Sequence, residues 1–500
     1  MESLKAFIII VVFASIVFHF CWKVLKNDFD AVQFKHFRTI WFTVLAIAFF
    51  ANNYWLYTIV AGFYVYHMSK REHKLSLYFL LLFIVPPMGL DLPGLGIMDH
   101  FFALDHPRLL ALALLLPFFV ASRATNSIPL GKLHSDKFLI LFILLATFLE
   151  IRGTTFTDAL RRGFSTFFLD MFLPYYFASR VVKSMDDIKR AFTILTIVTF
   201  IAALIGLFEW VKHWSMFFAL PDVLGSHRFG EYMSRGGSMR ALSSLGHPIV
   251  FGLVLAASLG AFLVVSNTVK NKRFHKVGMF TILAALFASG SRGPWLGAVF
   301  FGSIFSLTGD KPAKRVVYLL TILLLVIGAL AVIPGAEKYY NMLPFLGTTE
   351  AENVEYRQRL FTNSMIVIGH YPFFGSVTFM ETPEMQAMIQ GEGIIDIVNT
   401  YIGMALNYGY VGAGLFISTF LSIVYAIYAN MKRLKDKNGE TYYIGRCVLA
   451  SLISILFTIT TVSYILVVPS FNFAIAGIGA AYAEIVRREN IMSRAQNRVT

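Results

Sequence analysis

Cysteine is nearly missing from this chain: Cys21 and Cys447 are the only two, both inside apolar runs and far apart in sequence. They read as packing residues, which excludes a disulfide framework or a cysteine metal site. Charge is scarce as well, at 14% of residues against 57% hydrophobic, a balance far from that of soluble domains. Phosphate-binding glycine loops, HExxH pairs and Cys/His ligand spacings are all lacking. No histidine follows His370. The one adjacent acidic pair in a short connector, Asp186 and Asp187, lies near Lys183 and reads as a cap for a helix beginning near Ile188. Metal-dependent nucleotide-sugar chemistry therefore has no support, and no metal or cofactor is expected.

What the chain does have is long apolar runs, such as "SLYFLLLFIVPP", "LLALALLLPFFVAS" and "VVYLLTILLLVIGALAVI". A bilayer buries these directly, so the expected class is an all-α, polytopic transmembrane helical bundle. The first run, "AFIIIVVFASIVFHFCW", has no small-x-small cleavage site and reads as a retained first span. The formal net charge is +14, but the basic residues are gathered in short clusters between spans. These are Lys70 to Lys74, Arg180 to Arg190, Lys270 to Lys276, Asp310 to Arg315, Lys432 to Lys437, and Arg487 with Arg488. Such clusters orient a membrane protein by remaining in the cytoplasm, and no nucleic-acid partner is needed to explain them.

Spans are expected at roughly 5–22, 39–51, 53–68, 76–88, 107–122, 136–151, 163–179, 191–212, 247–266, 277–290, 294–309, 315–334, 400–430, 446–466 and 468–486. Several are shorter than the ~20 residues of an untilted span, which gives a range of about 12 to 15. The chain divides into N-terminal helices (1–74), a transmembrane core (75–334), C-terminal helices (400–486) and a cytoplasmic tail (487–500). Parity places 213–246, within the core, and the long polar segment 335–399 on the outer side. The turn "SGSRGPWLG" falls on that side too, between cytoplasmic flanks 270–276 and 310–315.

Polar groups beside spans normally face a cavity or a partner. On the outer side the candidates are His227, Arg228, Arg235, Arg240 and His247 in the first loop, and Arg292 in the turn. Arg357 and Arg359 follow in the second loop, ahead of an amphipathic surface helix, where one of them can pair with Glu352 or Glu355. Converging guanidiniums, each a planar bidentate fork, would suit a phosphate or pyrophosphate. The alternative for each is an arginine that snorkels to headgroups or binds nearby carbonyls. Glu392, Asp396, Asn399 and Asn407 accompany the return into the membrane after the second loop.

Five stretches in order carry a resemblance: "LPYYFASRVVKSMDDIKRAFTILTIVTFIAALIGLFEWV", "RALSSLGHPIVFG", "SGSRGPWLG", "YRQRL…IGHYPFFG" and "NTYIGMALNYGYVGAGLF". Together, across roughly 75–485, the chain resembles the O-antigen ligase and Wzy-type polymerase superfamily. The resemblance implies a GT-C-like glycosyltransferase of the bacterial inner membrane. It would act at the periplasmic face on undecaprenyl-pyrophosphate-linked glycan, without metal, with arginines holding the pyrophosphate. It assigns substrate binding to Arg240 and to Arg357 or Arg359, with Arg292 and Asn399 as further candidates. A flippase and a chain-length regulator are the protein partners it suggests, alongside membrane lipid.

One position departs from the ligase pattern. Ligases of the family carry a histidine before the residue matching Asn399, and Val398 stands there; Gly409 and Gly412 match in spacing. Candidate bases are then Asp396, His247 and Glu392, with His370 in reserve. The expected activity is polymerisation of lipid-linked repeats of an exopolysaccharide or O-antigen. Ligase-type transfer to a lipid or other acceptor is the alternative, followed by a non-enzymatic transporter or export scaffold. A transporter would place its polar groups near the midplane in repeated halves; no internal repeat is seen, and these groups collect at one face.

Overall fold

The computed structural model describes residues 2–71, 73–94, 100–122, 128–227, 232–235, 237–333, 336–343, 351–390 and 393–496. Four helices open the chain: α1 (Glu2–Leu25), α2 (Ala31–Phe50), α3 (Tyr54–Met68) and α4 (Lys74–Leu82). An antiparallel hairpin of β1 (Gly89–Pro93) and β2 (His100–Asp105) follows. Next come α5 (His106–Ser122), α6 (His134–Glu150), α7 (156–181) and α8 (Met185–Lys212). The second half contains α9 (Pro248–Val269), α10 (Lys272–Ala288), α11 (Arg292–Leu307) and α12 (Pro312–Val332). Beyond these lie α13 (Ala351–His370), α14 (Thr400–Lys432), α15 (Glu440–Thr458) and α16 (Val468–Gln496).

Each expected span coincides with one of these helices, and the all-helical membrane bundle holds. Six of them (α1, α8, α9, α12, α14 and α15) are long and apolar enough to cross a bilayer unaided. Two spans end earlier than expected. The helix of 76–88 stops at Leu82, ahead of Pro86 and Pro87, and that of 446–466 stops at Thr458. The β-hairpin was not foreseen.

Local chemistry sets the helix limits. Asn53, Asn271 and Asn399 each cap a helix through Oδ1, which accepts two backbone N–H groups. The acidic pair at 186–187 lies inside the first turn of α8, not ahead of it: Ser184 is the cap, Asp187 completes its capping box and Asp186 pairs with Lys189 at 2.7 Å. Inside α5 and α7 the ladder widens to π geometry over 111–115 and 163–172, next to Pro117 and Pro174 respectively. A proline lacks a donor and crowds the carbonyl four residues back; the wider turn accommodates both.

The connectors segregate to two ends. At one end Lys189 meets Glu440 at 3.2 Å, Ser266 meets His275 at 2.7 Å, and Tyr442 bonds the Thr308 carbonyl at 3.0 Å. This is the basic end. Arg180 is not one of its free charges: it forms a fully buried fork with Asp136, at 2.6 and 3.0 Å, and Tyr175 donates to the same carboxylate. At the opposite end the hairpin, the turn after α10, the polar segment before α14 and the 459–467 connector come together. The parity read from the sequence thus agrees with which connectors share an end.

Small residues let the second-half helices approach closely. Gly293 and Gly297 of α11 lie against Thr461 and Thr458, and Ser454 of α15 bonds the Gly297 carbonyl at 2.8 Å. The stretch "SGSRGPWLG" therefore makes a helix contact as well as a turn. A Cβ at Gly297 would overlap the Thr458 hydroxyl, whereas one at Gly414 would meet open space. Gly297→Val is expected to lower stability by roughly 1–3 kcal/mol. Gly414→Ala should be nearly neutral, as read from the thermal midpoints of both variants in detergent.

Candidate active site at the outer end

One wall of the site is a loop held by a carboxylate. Glu209, in the last turn of α8, is fully buried. Its Oε2 accepts the backbone N–H groups of Ser243 (2.7 Å) and Leu242 (3.2 Å), and its Oε1 accepts the Ser215 hydroxyl (3.0 Å). The same loop donates from Ala241 N to the Ala288 carbonyl at 3.0 Å and from the Ser244 hydroxyl to the Phe83 carbonyl. Ser243 and Gly246 take positive φ to make the turn. Glu209 lay within the quoted "GLFEWV", but nothing in the local pattern marked it; an acidic residue ending an apolar run was the available signal.

This loop delivers Arg240 and His247. Arg240 is buried, with Nε donating to the Ser289 carbonyl at 3.2 Å and Nη2 to the Ser291 hydroxyl at 2.9 Å. Arg235 donates to the Gly290 carbonyl between them. Both guanidiniums thus sit where α10 ends, the negative pole of its dipole. The Ser289–Ser291 turn becomes a base plate for two cations. His247 caps α9, its Nδ1 accepting from Ile249 N at 3.1 Å. Burial, and then the charge of Arg240, push its pKa down to about 4. The ring is therefore neutral near pH 7 with its proton on Nε2. The Nδ1 lone pair that a base would use is taken by the cap.

The second wall comes from α13 and the strand-like approach to α14. Tyr356 is buried, and its hydroxyl bonds the Asp396 backbone, donating to the carbonyl at 3.1 Å and accepting from the N–H at 3.2 Å. The Asp396 carboxylate accepts the Ser463 hydroxyl at 2.8 Å. Arg357 lies within electrostatic reach of both Asp396 and Arg235. Surrounding protein lowers its pKa; Asp396 opposes that shift and Arg235 adds to it. Arg235 and Arg240 thus share the Ser289–Ser291 turn, while Arg357, itself exposed, feels the charges of Arg235 and Asp396.

The other sequence candidates stand at its edges. Arg359 is exposed and faces Glu355 at 3.9 Å, the pairing allowed for by the sequence. Arg292 is half-buried, and its Nε donates to the Met342 carbonyl at 3.0 Å, tying α11 to the polar segment. Asn399 spends its Oδ1 on the cap of α14, so only its amide N–H groups are suited to a ligand. Asn407 bonds the Gly403 carbonyl of its own helix at 2.8 Å. His227 and His370 are exposed. Glu392 and Arg228 lie outside the described residues, as does the side chain of Glu352.

Gly409 does more than allow close approach. Its φ of 65° and ψ of −171° break α14 in a conformation essentially confined to glycine. The interrupted ladder is completed by the segment "YPFFGS": Tyr410 N donates to the Pro372 carbonyl (2.7 Å) and Val411 N to Phe373 (3.1 Å). Ser376 N in turn donates to the Leu406 carbonyl at 2.8 Å. Arg152 holds the segment through the Phe374 (2.7 Å) and Gly375 (3.2 Å) carbonyls. Beside the break, Tyr408 donates to Glu150 at 2.7 Å, and Arg162 pairs with the same carboxylate at 2.7 Å. Arg152, Glu150 and Arg162 were not singled out from the sequence, since their partners lie more than 200 residues away or on the next helix. Gly412 lies against Tyr408 of its own helix.

Fold and site together define a multi-pass membrane protein with Arg235 and Arg240 on one turn at the end opposite its basic connectors. The family model described as O-Antigen ligase matches residues 277–417, which supports membership of the O-antigen ligase and Wzy-type superfamily and indicates an enzyme of glycan transfer. The match spans the base-plate turn, Arg292, Arg357, Asp396 and the Gly409 break; Glu209, Arg235, Arg240 and His247 precede it. No curated protein matches the chain.

Two measurements probe this architecture. Between about pH 6.5 and 4 the unfolded His247 binds a proton that the folded, capping ring resists, so stability falls as pH drops through that window. His247→Asn keeps a cap but does not titrate, and its thermal midpoint should fall less than the wild type's between pH 7 and 5. Gly409→Ala would drive a Cβ into the Phe373 backbone. We expect it to lower stability by about 1–3 kcal/mol and to expose the 372–376 segment to limited proteolysis, which Gly414→Ala does not.

Proposed function

We propose that this protein polymerises lipid-linked repeat units of an exopolysaccharide or O-antigen at the periplasmic face of the bacterial inner membrane. The observation that carries this reading is the meeting of Arg235 and Arg240 on the Ser289–Ser291 turn, with Arg357 in electrostatic reach of Arg235 and of Asp396. In this reading the undecaprenyl pyrophosphate of the donor glycan lies against the guanidiniums. An acceptor hydroxyl attacks the anomeric carbon, the bond to the pyrophosphate oxygen breaks, and the proton passes to the Asp396 carboxylate. Pyrophosphate is already a good leaving group, so stabilising its developing charge is the main demand. The bidentate fork of arginine suits it better than a point charge does.

Val398, where ligases of the family carry histidine, favours polymerisation over ligation. The engagement of His247 as a helix cap points the same way, because it leaves Asp396 as the better-placed base among the described candidates. Ligase-type transfer is the second reading, favoured by the description of the matching family model. A flippase and a chain-length regulator belong to the proposed setting as partners.

Arg240→Lys and Arg357→Lys keep the charge and lose the fork. Each should reduce polymer formation in a complemented deletion by roughly 100-fold at unchanged protein level, with Arg359→Lys within about threefold. Wild-type glycan from both arginine variants would refute the pyrophosphate assignment. Single repeats at the surface of the deletion strain support polymerisation, whereas long unattached polymer would establish the ligase reading.

A further inference from the structure

At the basic end of the bundle, away from the candidate active site, a groove of about 1200 Å³ opens between α12 and the helices behind it. Its walls are apolar, with Leu259, Met279, Phe301, Leu319 and Ile322 among them, and its mouth carries Lys311, Lys314, Arg315 and Arg446. α12 packs lightly on the bundle: none of its residues is buried, and it touches α11 where Leu319 approaches Gly302. On α11 it runs from Ala298 to Ser306, about 12 Å at ~1.5 Å per residue. That approaches the ~15 Å depth of one leaflet of the hydrocarbon core.

The cations at the mouth are poorly neutralised. Arg446 is buried, stacked 4.0 Å over the Phe305 ring, and bonds only neutral groups, the Phe305 carbonyl and the Thr308 hydroxyl. Arg315 converges with it over Gly309, where both guanidiniums would overlap an added Cβ. Among the described residues, the carboxylate paired with any of these four cations is Asp310, a loose 3.9 Å from Arg315. Two guanidiniums brought together beside an apolar trough repel one another unless an anion lies between them. Snorkelling to bulk water does not account for Arg446, which is buried against aromatic rings.

We propose that this groove holds an anionic phospholipid of the adjacent leaflet. Its phosphate sits between Arg315 and Arg446, and its acyl chains run along Phe301 and Leu319. Charge bias makes this the cytoplasmic leaflet, where basic pockets between helices bind acidic headgroups. The site is independent of the glycan-transfer reading, since it shares no residue with the outer cleft. It would fix α12, which the protein alone holds by one face.

Native mass spectrometry of the full-length protein in mild detergent, titrated with phosphatidylglycerol or phosphatidylcholine of matched chains, tests this. Retention of phosphatidylglycerol should be at least about tenfold stronger, and Lys314→Gln with Arg315→Gln should weaken it by roughly ten- to thirtyfold. Ala298→Phe, which fills the trough without touching the charges, should weaken retention of both lipids. Equal retention of the two lipids, or unchanged retention in both variants, overturns the proposal. So does displacement by millimolar inorganic phosphate, which would assign an anion subsite only, or preferential retention of a polyprenyl phosphate.

Discussion

Backbone N–H and C=O groups cannot be left unpaired at the edge of a bilayer, and that constraint organises the outer end of this protein. Where α14 breaks at Gly409, the freed donors of Tyr410 and Val411 take the carbonyls of Pro372 and Phe373. Where the chain turns from 240 to 247, the buried N–H groups of Leu242 and Ser243 take the buried carboxylate of Glu209. Irregular backbone is tolerated at such depths only when protein satisfies it. Both devices place functional candidates: Glu209 sets Arg240 and His247, and the 372–376 segment anchors the C-terminal end of α13, which carries Arg357.

At the outer end two guanidiniums meet on one turn, and a third carries its charge nearby. Arg235 and Arg240 rest on carbonyls and a hydroxyl at the end of α10, and Arg357 feels Asp396 and Arg235 with opposite effect. A tight carboxylate fork such as Arg180 on Asp136 makes architecture, whereas Arg235 and Arg240 also reach carbonyls and a hydroxyl of a shared turn. The groove at the other end repeats the distinction, with Arg446 and Arg315 meeting over Gly309 beside a single loose carboxylate. Two cationic sites, one at each end, therefore differ in their surroundings: polar and built on broken backbone outside, apolar and open to lipid inside.

Much of the fold was legible from hydropathy and charge, since a bilayer imposes span length and lysine–arginine bias directly on the chain. Every expected span became a helix, and the connectors sorted to two ends as parity required. The site was legible in part. Arg240, Arg357 and Asp396 were marked by lying beside returns into the membrane; Arg240 lies on a turn it shares with Arg235, and Arg357 feels the charges of Arg235 and Asp396. Asn399 and His247 were marked for the same reason, yet their acceptor atoms are committed to helix caps. Capping and ligand binding call on the same residue types, so composition alone does not separate them.

The sequence by itself determined that this is a membrane bundle, which connectors share an end, and that arginines stand beside returns into the membrane. Only the tertiary structure decided which charges are spent. Glu209, Glu150 and Arg152 gained their roles from partners in other segments of the chain, in two cases more than 200 residues distant. The opposite faces of the Gly409 break likewise come from segments that carry no mutual signal along the chain. Hydropathy is a property of each residue and survives in a one-dimensional reading. Pairing is a property of two residues at a distance, and it appears only when packing brings them together.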